Sequence, residues 1–361
     1  MKPMKVGIIG VGNISPAYIK GCRAFDILDL TACADMNFER AQTVAAENQI
    51  KKACTVEEML ADPEIDIVIN LTVPSAHAEI ALRTIAAGKH PYSEKPLAVS
   101  LDDGRRIVEM AAAKGVRVGC APDTFLFAEH QTARKLLDDG HIGPAVSAIG
   151  FMMGRGPEKW HPNPDFFYQP GAGPLFDMGP YYITCLVNLL GAVKRVSSAA
   201  RASFPERIAK DGHAIPVNTP THVAGTLEFE SGPIATLIMS FDITAHRLPR
   251  MELYGAKGSL VIPDPNGFDP AVRMFVPGES DWAEQPNPFN PDWRRGVGVA
   301  DMAHAIQSGR LHRASGDLAL HVLEVMHALL ESSQKGAHVE ISSKVERPAL
   351  LPLNLPARAL D

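Results

Sequence analysis

The sequence predicts an α/β domain followed by an α+β domain. The first is a doubly wound parallel sheet, and the second a mainly antiparallel open sheet with helices on one face. Three observations carry this. Up to about residue 121, short apolar runs alternate with helical patterns, the β–α rhythm of a parallel sheet. From Val193 onward, strand-like runs follow one another across turns with no helix between them, which argues antiparallel pairing. A chain of 361 residues is also too long for one ordinary core, so two domains are expected, 1–121 and 122–361.

Lys5 to Ile9 is short, apolar and β-branched, and reads as a buried strand. It runs into Gly10-Val11-Gly12-Asn13-Ile14-Ser15, then Pro16 and a helical pattern to about Phe25. Gly10 permits a tight turn and Gly12 lets the backbone approach a pyrophosphate. The following helix N-terminus, with Asn13 and Ile14 in the turn, offers N–H groups to phosphate. Pro16 suits a first helical turn, where its missing donor costs nothing. Ser15 stands where this dinucleotide fingerprint has its third glycine, a departure that asks for a looser helix–strand contact.

The second strand, about Leu28 to Ala34, ends in Asp35, 20 residues after Ser15. An acid at that distance is the fingerprint's partner for the adenosine ribose hydroxyls. Its carboxylate repels a 2′-phosphate and no arginine is adjacent, so NAD rather than NADP is expected. Taken alone, Asp35 also reads as a cap for the helix from Asn37 onward. Ile65 to Leu71 gives a third strand, ending in Thr72-Val73-Pro74-Ser75-Ala76-His77. Ser75 is placed as the cap of a helix to about Ala87. Two accounts of His77 stand level: a solvent-facing residue of the first turn, or part of a turn under the ribose and nicotinamide side of the cofactor. A fourth strand, His90 to Ser93, delivers Glu94-Lys95-Pro96. Pro96 disfavours the α region at Lys95, and the carboxyl ends of such strands are where open α/β sheets bind ligands. A helix to about Lys114 and a strand from Val116 to Cys120 complete this half.

Past the boundary, Asp123 is counted with the substrate-facing residues. Glu129 to Asp139 reads as a helix and Val146 to Met153 as a strand. The loop from Gly154 to Gly173 holds Trp160, His161, Asp165 and Tyr168. Loops of that length are usually functional or disordered, and this one has too many aromatics for disorder. Either Trp160 and Tyr168 face sugar C–H surfaces while His161 and Asp165 bond hydroxyls, or all four pack beneath the loop. An apolar helix follows, ending at Gly191. If it starts at Pro180, Asp177 belongs to its N-terminal capping. If it starts earlier, Asp177 and Tyr181 are i and i+4 and share a face. Strand-like runs at Val193–Ala202, Thr221–Glu228, Ile234–Asp242, Arg250–Gly255, Gly258–Ile262 and Val272–Val276 come next. An irregular stretch from Pro263 to Asp292 and helices at about Gly296–Ser308 and Asp317–Lys335 close the domain.

The Gly-x-Gly turn, the Thr72–Pro74–His77 turn, Glu94-Lys95-Pro96 and Asp177-x-Gly179 together resemble the Gfo/Idh/MocA oxidoreductases, the family of glucose–fructose oxidoreductase and inositol dehydrogenase. The resemblance covers nearly the whole chain, and Glu-Lys-Pro after the fourth strand is its most specific part. It implies a Rossmann domain that binds NAD, with Lys95 as the catalytic lysine. Glu94 and His77, with Thr72 and Pro74, would lie near the nicotinamide. The family commonly places a histidine four residues after the aspartate; here Tyr181 holds that place, as in glucose–fructose oxidoreductase and the dihydrodiol dehydrogenases. The second domain would bind substrate and form a homodimer or homotetramer through its free sheet face.

The chemistry so implied is hydride transfer between NAD and a carbinol or ketone carbon of a sugar, polyol or sugar derivative. Lys95 would bond the reacting oxygen, Tyr181 would carry the proton and Asp177 would position substrate or Lys95. A lysine cation ~4 Å away contributes on the order of 4 kcal/mol at an effective dielectric near 20. At 1.36 kcal/mol per unit, that brings a phenol of pKa ~10 toward the working range. Lys95 is the rival base, since burial depresses a lysine to ~7–8. Two other classes share the fold, an NAD-dependent glycoside hydrolase and a non-catalytic sugar-responsive regulator. Lys95, Asp177 and Tyr181 together speak against the regulator.

Composition narrows the partners. Hydrophobic residues are 46% and charged residues 21%, as in globular proteins. The formal charge of −6 gives no electrostatic reason to expect nucleic acid or anionic membrane. No apolar run is long enough to span a bilayer, and the N-terminus shows no signal-peptide cleavage region. The five cysteines are scattered, without a Cys-x-x-Cys pair, so no metal is expected and a reducing cytoplasm suits them.

Overall fold

The computed structural model describes residues 2–267, 271–353, 355–356 and 358–360. The chain begins with β1 (Met4–Ile9), α1 (Ser15–Arg23), β2 (Leu28–Ala34), α2 (Phe38–Glu47), β3 (Lys52–Ala53) and α3 (Val56–Ala61). It continues with β4 (Ile67–Asn70), α4 (Pro74–Ala86), β5 (His90–Ser93), α5 (Leu101–Lys114) and β6 (Gly119–Cys120). These strands form one parallel sheet in the order β3-β2-β1-β4-β5-β6. All four residues of β4 are buried, as the middle of a covered parallel sheet requires. The strand order reverses between β1 and β4, which opens a crevice at their carboxyl ends. Ser75 does not cap α4. Pro74 begins that helix, its fixed φ suiting the first position, and Val73 precedes it in extended conformation.

Next come α6 (Ala128–Asp138), β7 (Ala145–Met153), α7 (Gly173–Leu190), β8 (Val193–Arg201), β9 (Glu206–Ile208), β10 (Ala214–Pro216), β11 (His222–Phe229) and β12 (Ile234–Ser240). The chain ends with β13 (Met251–Gly255), β14 (Gly258–Ile262), β15 (Arg273–Phe275), β16 (Ala283–Glu284), α8 (Val297–Ser308), α9 (Gly316–Lys335) and β17 (Val339–Glu340). Nine strands form the second sheet, in the order β16-β15-β14-β13-β7-β12-β11-β8-β17. Neighbours in it run antiparallel except β7 and β12. A parallel pair needs a long crossover, and the chain from β7 to β12 includes α7. Ala148, Val223, Leu227, Ala235, Leu237 and Leu253 bury one face of this sheet. Tyr182 of α7 comes so close to Gly150 there that an added Cβ would lie 3.3 Å from its ring.

Two compact units result. The first takes in Met1–Ala128, Pro288–Leu320 and Pro348–Asp361; the second takes in Glu129–Asn287 and His321–Arg347. Within the first, α1 and the chain entering α8 touch so closely that a Cβ on Gly21 would meet the Arg295 carbonyl oxygen at 1.8 Å. In the second, α9 bonds the sheet: the Ser332 hydroxyl accepts from the Ser198 amide at 3.0 Å.

Candidate functional site

The carboxyl ends of β1, β2, β4 and β5 carry the residues that the sequence singled out for the cofactor. Gly10 follows β1 at φ +92°, and a Cβ there would lie 2.7 Å from the Leu71 carbonyl oxygen, so only glycine makes this turn without strain. Around Gly12 a Cβ would meet nothing within 4 Å, and Gly12 and Asn13 are exposed. The α1 N-terminus beside them has no side-chain cap and carries Pro in its first turn. An open glycine backbone leading into an uncapped helix N-terminus fits a pyrophosphate. Ser15 is buried, and its hydroxyl donates to the Gly12 carbonyl at 2.8 Å, so the residue in place of the third glycine closes the turn on itself.

Asp35 follows β2. One carboxylate oxygen accepts from the Val11 amide and the other from the Asn37 amide, each at 2.9 Å. It therefore braces the glycine turn from below, while Asn37 caps α2 by accepting from the Arg40 amide. Arg40 reaches Asp35 at 3.9 Å and is half exposed; lying five residues on, it escapes a reading of immediate neighbours.

Glu94, Lys95 and Pro96 follow β5. Glu94 is buried, with one oxygen accepting from the Lys95 amide at 2.9 Å and the other from the Tyr18 hydroxyl at 2.8 Å. Lys95 itself is half-buried. His77 does not face solvent: it is 1% exposed, with Nδ1 2.7 Å from the Pro96 carbonyl and Nε2 3.0 Å from the Thr72 carbonyl. Burial lowers its pKa, against the pull of those two carbonyls and of Glu94. The ring thus ties the turn after β4 to the turn after β5. Asn70, buried at the end of β4, adds to this by donating to the His77 carbonyl at 3.1 Å and accepting from the Thr72 hydroxyl at 2.7 Å. Neither Tyr18 nor Asn70 is among the residues that the sequence singles out. For Asn70 a signal existed, a lone amide closing the otherwise apolar Ile67-Val68-Ile69. For Tyr18 there was none, since an aromatic on a helix's core face reads as packing.

Asp123 does not have its expected place. It is 0% exposed, and its carboxylate accepts from the Gly296 amide at 2.8 Å and the Gly298 amide at 3.0 Å. It holds the start of α8, and a carboxylate enclosed in that way is not available to a substrate hydroxyl. Burial raises its pKa, although Arg295 and the two amides work the other way.

In the second unit α7 starts at Gly173, with Pro174 in the first turn and Pro180 well inside the helix. Asp177 is therefore no N-cap; it and Tyr181 lie one turn apart on a continuous helix. Tyr181 is buried and Asp177 half-buried. The aromatic loop divides. Tyr168 is 0% exposed and gives its hydroxyl to Glu158, with the Arg207 guanidinium 5.7 Å from its ring centroid and bonded in turn to Asp242. Tyr168 is thus packing rather than a sugar platform. Trp160, by contrast, is 70% exposed. His161, half-buried, takes a hydrogen bond from the Asn163 amide at 3.1 Å and packs edge-on against Phe167 with centroids 4.9 Å apart. Asp165 is already partnered: it lies 3.0 Å from His213, whose other nitrogen is 2.6 Å from Asp211.

Those carboxylates, Asp165 foremost, raise the His213 pKa. A folded-state pKa above the unfolded value gives a contribution fully present below the unfolded pKa and lost as pH rises through the folded one. The tie between the loop and the β9–β10 turn should therefore loosen above neutrality. Melting curves of the wild type and Asp165→Asn from pH 5 to 9 should differ at the acid end and converge at the alkaline end.

A doubly wound sheet with an open glycine turn, an acid after the second strand and a lysine after the fifth defines a dinucleotide-binding oxidoreductase domain. The model of the oxidoreductase family with NAD-binding Rossmann fold matches residues 4–121, and that of the GFO/IDH/MocA C-terminal domain matches residues 130–261. The chain belongs to the Gfo/Idh/MocA family and is an NAD-binding oxidoreductase. It is similar to the 1,5-anhydro-D-fructose reductase of Ensifer adhaerens, 29% identical over 343 residues, covering 93% of this chain and 98% of that one. Among solved structures it resembles an NAD binding oxidoreductase from Klebsiella pneumoniae, with a TM-score of 0.83 and 21% identity over 94% of this chain and 99% of that one. It also resembles levoglucosan dehydrogenase in complex with NADH and L-sorbose, with a TM-score of 0.80 and 22% identity over 95% of this chain and 100% of that one.

Proposed function

We propose that this protein is an NAD-dependent dehydrogenase or reductase acting on a CH–OH or ketone carbon of a sugar, polyol or sugar derivative. The observation that carries the proposal is the convergence of the glycine turn, Asp35 and the braced Lys95 at the carboxyl ends of one parallel sheet. The names of the similar reductase and of the levoglucosan dehydrogenase support the carbohydrate class. In this reading residues 1–121 of the first unit bind the cofactor. The expected second domain, 122–361, is cut back, because Pro288–Leu320 and Pro348–Asp361 join the first unit; Glu129–Asn287 and His321–Arg347 carry substrate and subunit contacts. Gly10, Gly12, Asn13 and Ile14 receive the pyrophosphate, and Asp35 the ribose. Thr72, Pro74, His77 and Glu94 shape the nicotinamide end, largely by holding backbone. NAD, when bound, accepts or supplies the hydride. Lys95 donates a hydrogen bond to the reacting oxygen, Tyr181 carries its proton, and Asp177 orients the polyhydroxylated chain. Trp160 and His161 are the loop residues that would meet the sugar in this reading. Incubation with NAD or NADH and a panel of sugars, polyols and anhydrosugars, followed at the reduced-nicotinamide absorbance, tests the reading. Turnover confined to non-carbohydrate alcohols would overturn the substrate class.

The cofactor preference has its own test. Asp35 places a negative charge where a 2′-phosphate would come, so NAD should be favoured over NADP. Asp35→Ser keeps an acceptor for the Val11 amide and leaves Arg40 without its counter-charge. The NAD-to-NADP ratio of kcat/KM should fall by about tenfold or more, ~1.4 kcal/mol. An unchanged ratio would remove Asp35 from cofactor selection. We also propose a cytoplasmic homo-oligomer built on the second sheet's outer face, where Ile149, Ile234 and Thr236 stand side by side across β7 and β12. Ile234 is 48% exposed.

A further inference from the structure

We infer that Tyr18 is a positioning residue for Lys95, acting through the Glu94 carboxylate and so tying the helix after the glycine turn to the lysine's backbone. The inference rests on the role given to Lys95 above and adds what holds that residue in place.

Tyr18 sits on α1, the helix whose N-terminus faces the phosphate position, and its ring is 0% exposed. Its hydroxyl donates to Glu94 Oε1 at 2.8 Å, and Glu94 Oε2 accepts from the Lys95 amide at 2.9 Å. One buried carboxylate is therefore gripped at one oxygen by α1 and grips with the other the backbone of the residue that does the chemistry. On the far side, His77 Nδ1 lies 2.7 Å from the Pro96 carbonyl, so Lys95 is held on both sides in sequence. A tyrosine that merely filled the core would be served as well by phenylalanine. Here, removing the hydroxyl leaves a buried carboxylate oxygen without its donor, and such a group is costly. Its ready relief is rotation of the carboxylate, which gives up the Lys95 amide. Burial, then the Glu94 charge, pushes the Tyr18 phenol well above its ordinary range, so it remains a donor at every pH at which the protein works.

Tyr18→Phe tests this, read first in the cofactor-free protein by hydrogen–deuterium exchange of the peptide spanning Glu94–Pro96. In that segment the Lys95 amide should exchange at least tenfold faster, with the melting temperature lowered by no more than a few degrees. With NAD and the best polyol or sugar of the panel, kcat should fall about tenfold while KM for NAD stays within twofold. Wild-type exchange of the Lys95 amide together with wild-type kcat would overturn the inference. If Tyr18→Phe does not fold, Glu94→Ala replaces it: undiminished protection of the Lys95 amide there would overturn the inference equally. Lys95→Met separates this from the functional reading. Near-normal turnover in Lys95→Met sinks the role of Lys95 itself, whereas an inactive Lys95→Met beside a wild-type-like Tyr18→Phe sinks the Tyr18 assignment alone.

Discussion

Lys95→Met should lower kcat by 10²-fold or more while the fold and NAD affinity survive. Methionine keeps the bulk of the stem and removes the ammonium, with its charge and its hydrogen-bond donors. The backbone it hangs from is braced by other residues: Glu94 takes the Lys95 amide and His77 reaches the Pro96 carbonyl, and neither contact needs the ammonium. If Lys95 bonds the reacting oxygen, what is lost is a charge-assisted hydrogen bond that stabilises the negative charge on that oxygen during hydride transfer. Loss of one such donor costs about 2.7 kcal/mol of barrier, or roughly 10²-fold. Cofactor titration and thermal melting on the same preparation separate chemistry from folding. Near-normal turnover on the true substrate would end the Glu-Lys-Pro reading.

The nucleotide half was legible because its signals are local. A strand, a Gly-x-Gly turn, a helix with proline in its first turn and an acid at fixed spacing each leave a mark within 35 residues, whereas the two-residue β3 at the sheet edge leaves none. What stayed hidden depends on contacts between residues far apart in sequence. Asp123 next to a plausible boundary looks like a substrate ligand until Gly296 and Gly298 arrive 173 and 175 residues later to take its carboxylate. Tyr168 in an aromatic loop looks like a sugar platform until Glu158, Arg207 and Asp242 enclose it. The uptake of Pro288–Leu320 into the first compact unit has no local signature either, since a helix pattern does not say which core it joins. Pro180 misleads in another way. Proline favours a first turn, but α7 carries it in the interior, where the helix loses one amide donor and the rest of its apolar face keeps it in place.

The long α7 aligns two polar side chains. With the helix continuous from Gly173, Asp177 and Tyr181 sit one turn apart on the same face, and Tyr181 is buried. Tyr181→Phe retains the ring and with it the packing, so the protein should stay folded. If the hydroxyl carries the proton, kcat should fall by about 10²-fold, ~2.7 kcal/mol. In the proposed role of orienting hydroxyls that do not react, Asp177→Asn should instead act mainly on KM for substrate. The informative measurement is the double variant. When two groups serve one proton, removing either disables the pair, and Lys95→Met/Tyr181→Phe should be little slower than the slower single. Fully multiplying losses would mean that the two act in separate steps, with Lys95 orienting substrate and Tyr181 reporting on something other than the proton Lys95 helps to move.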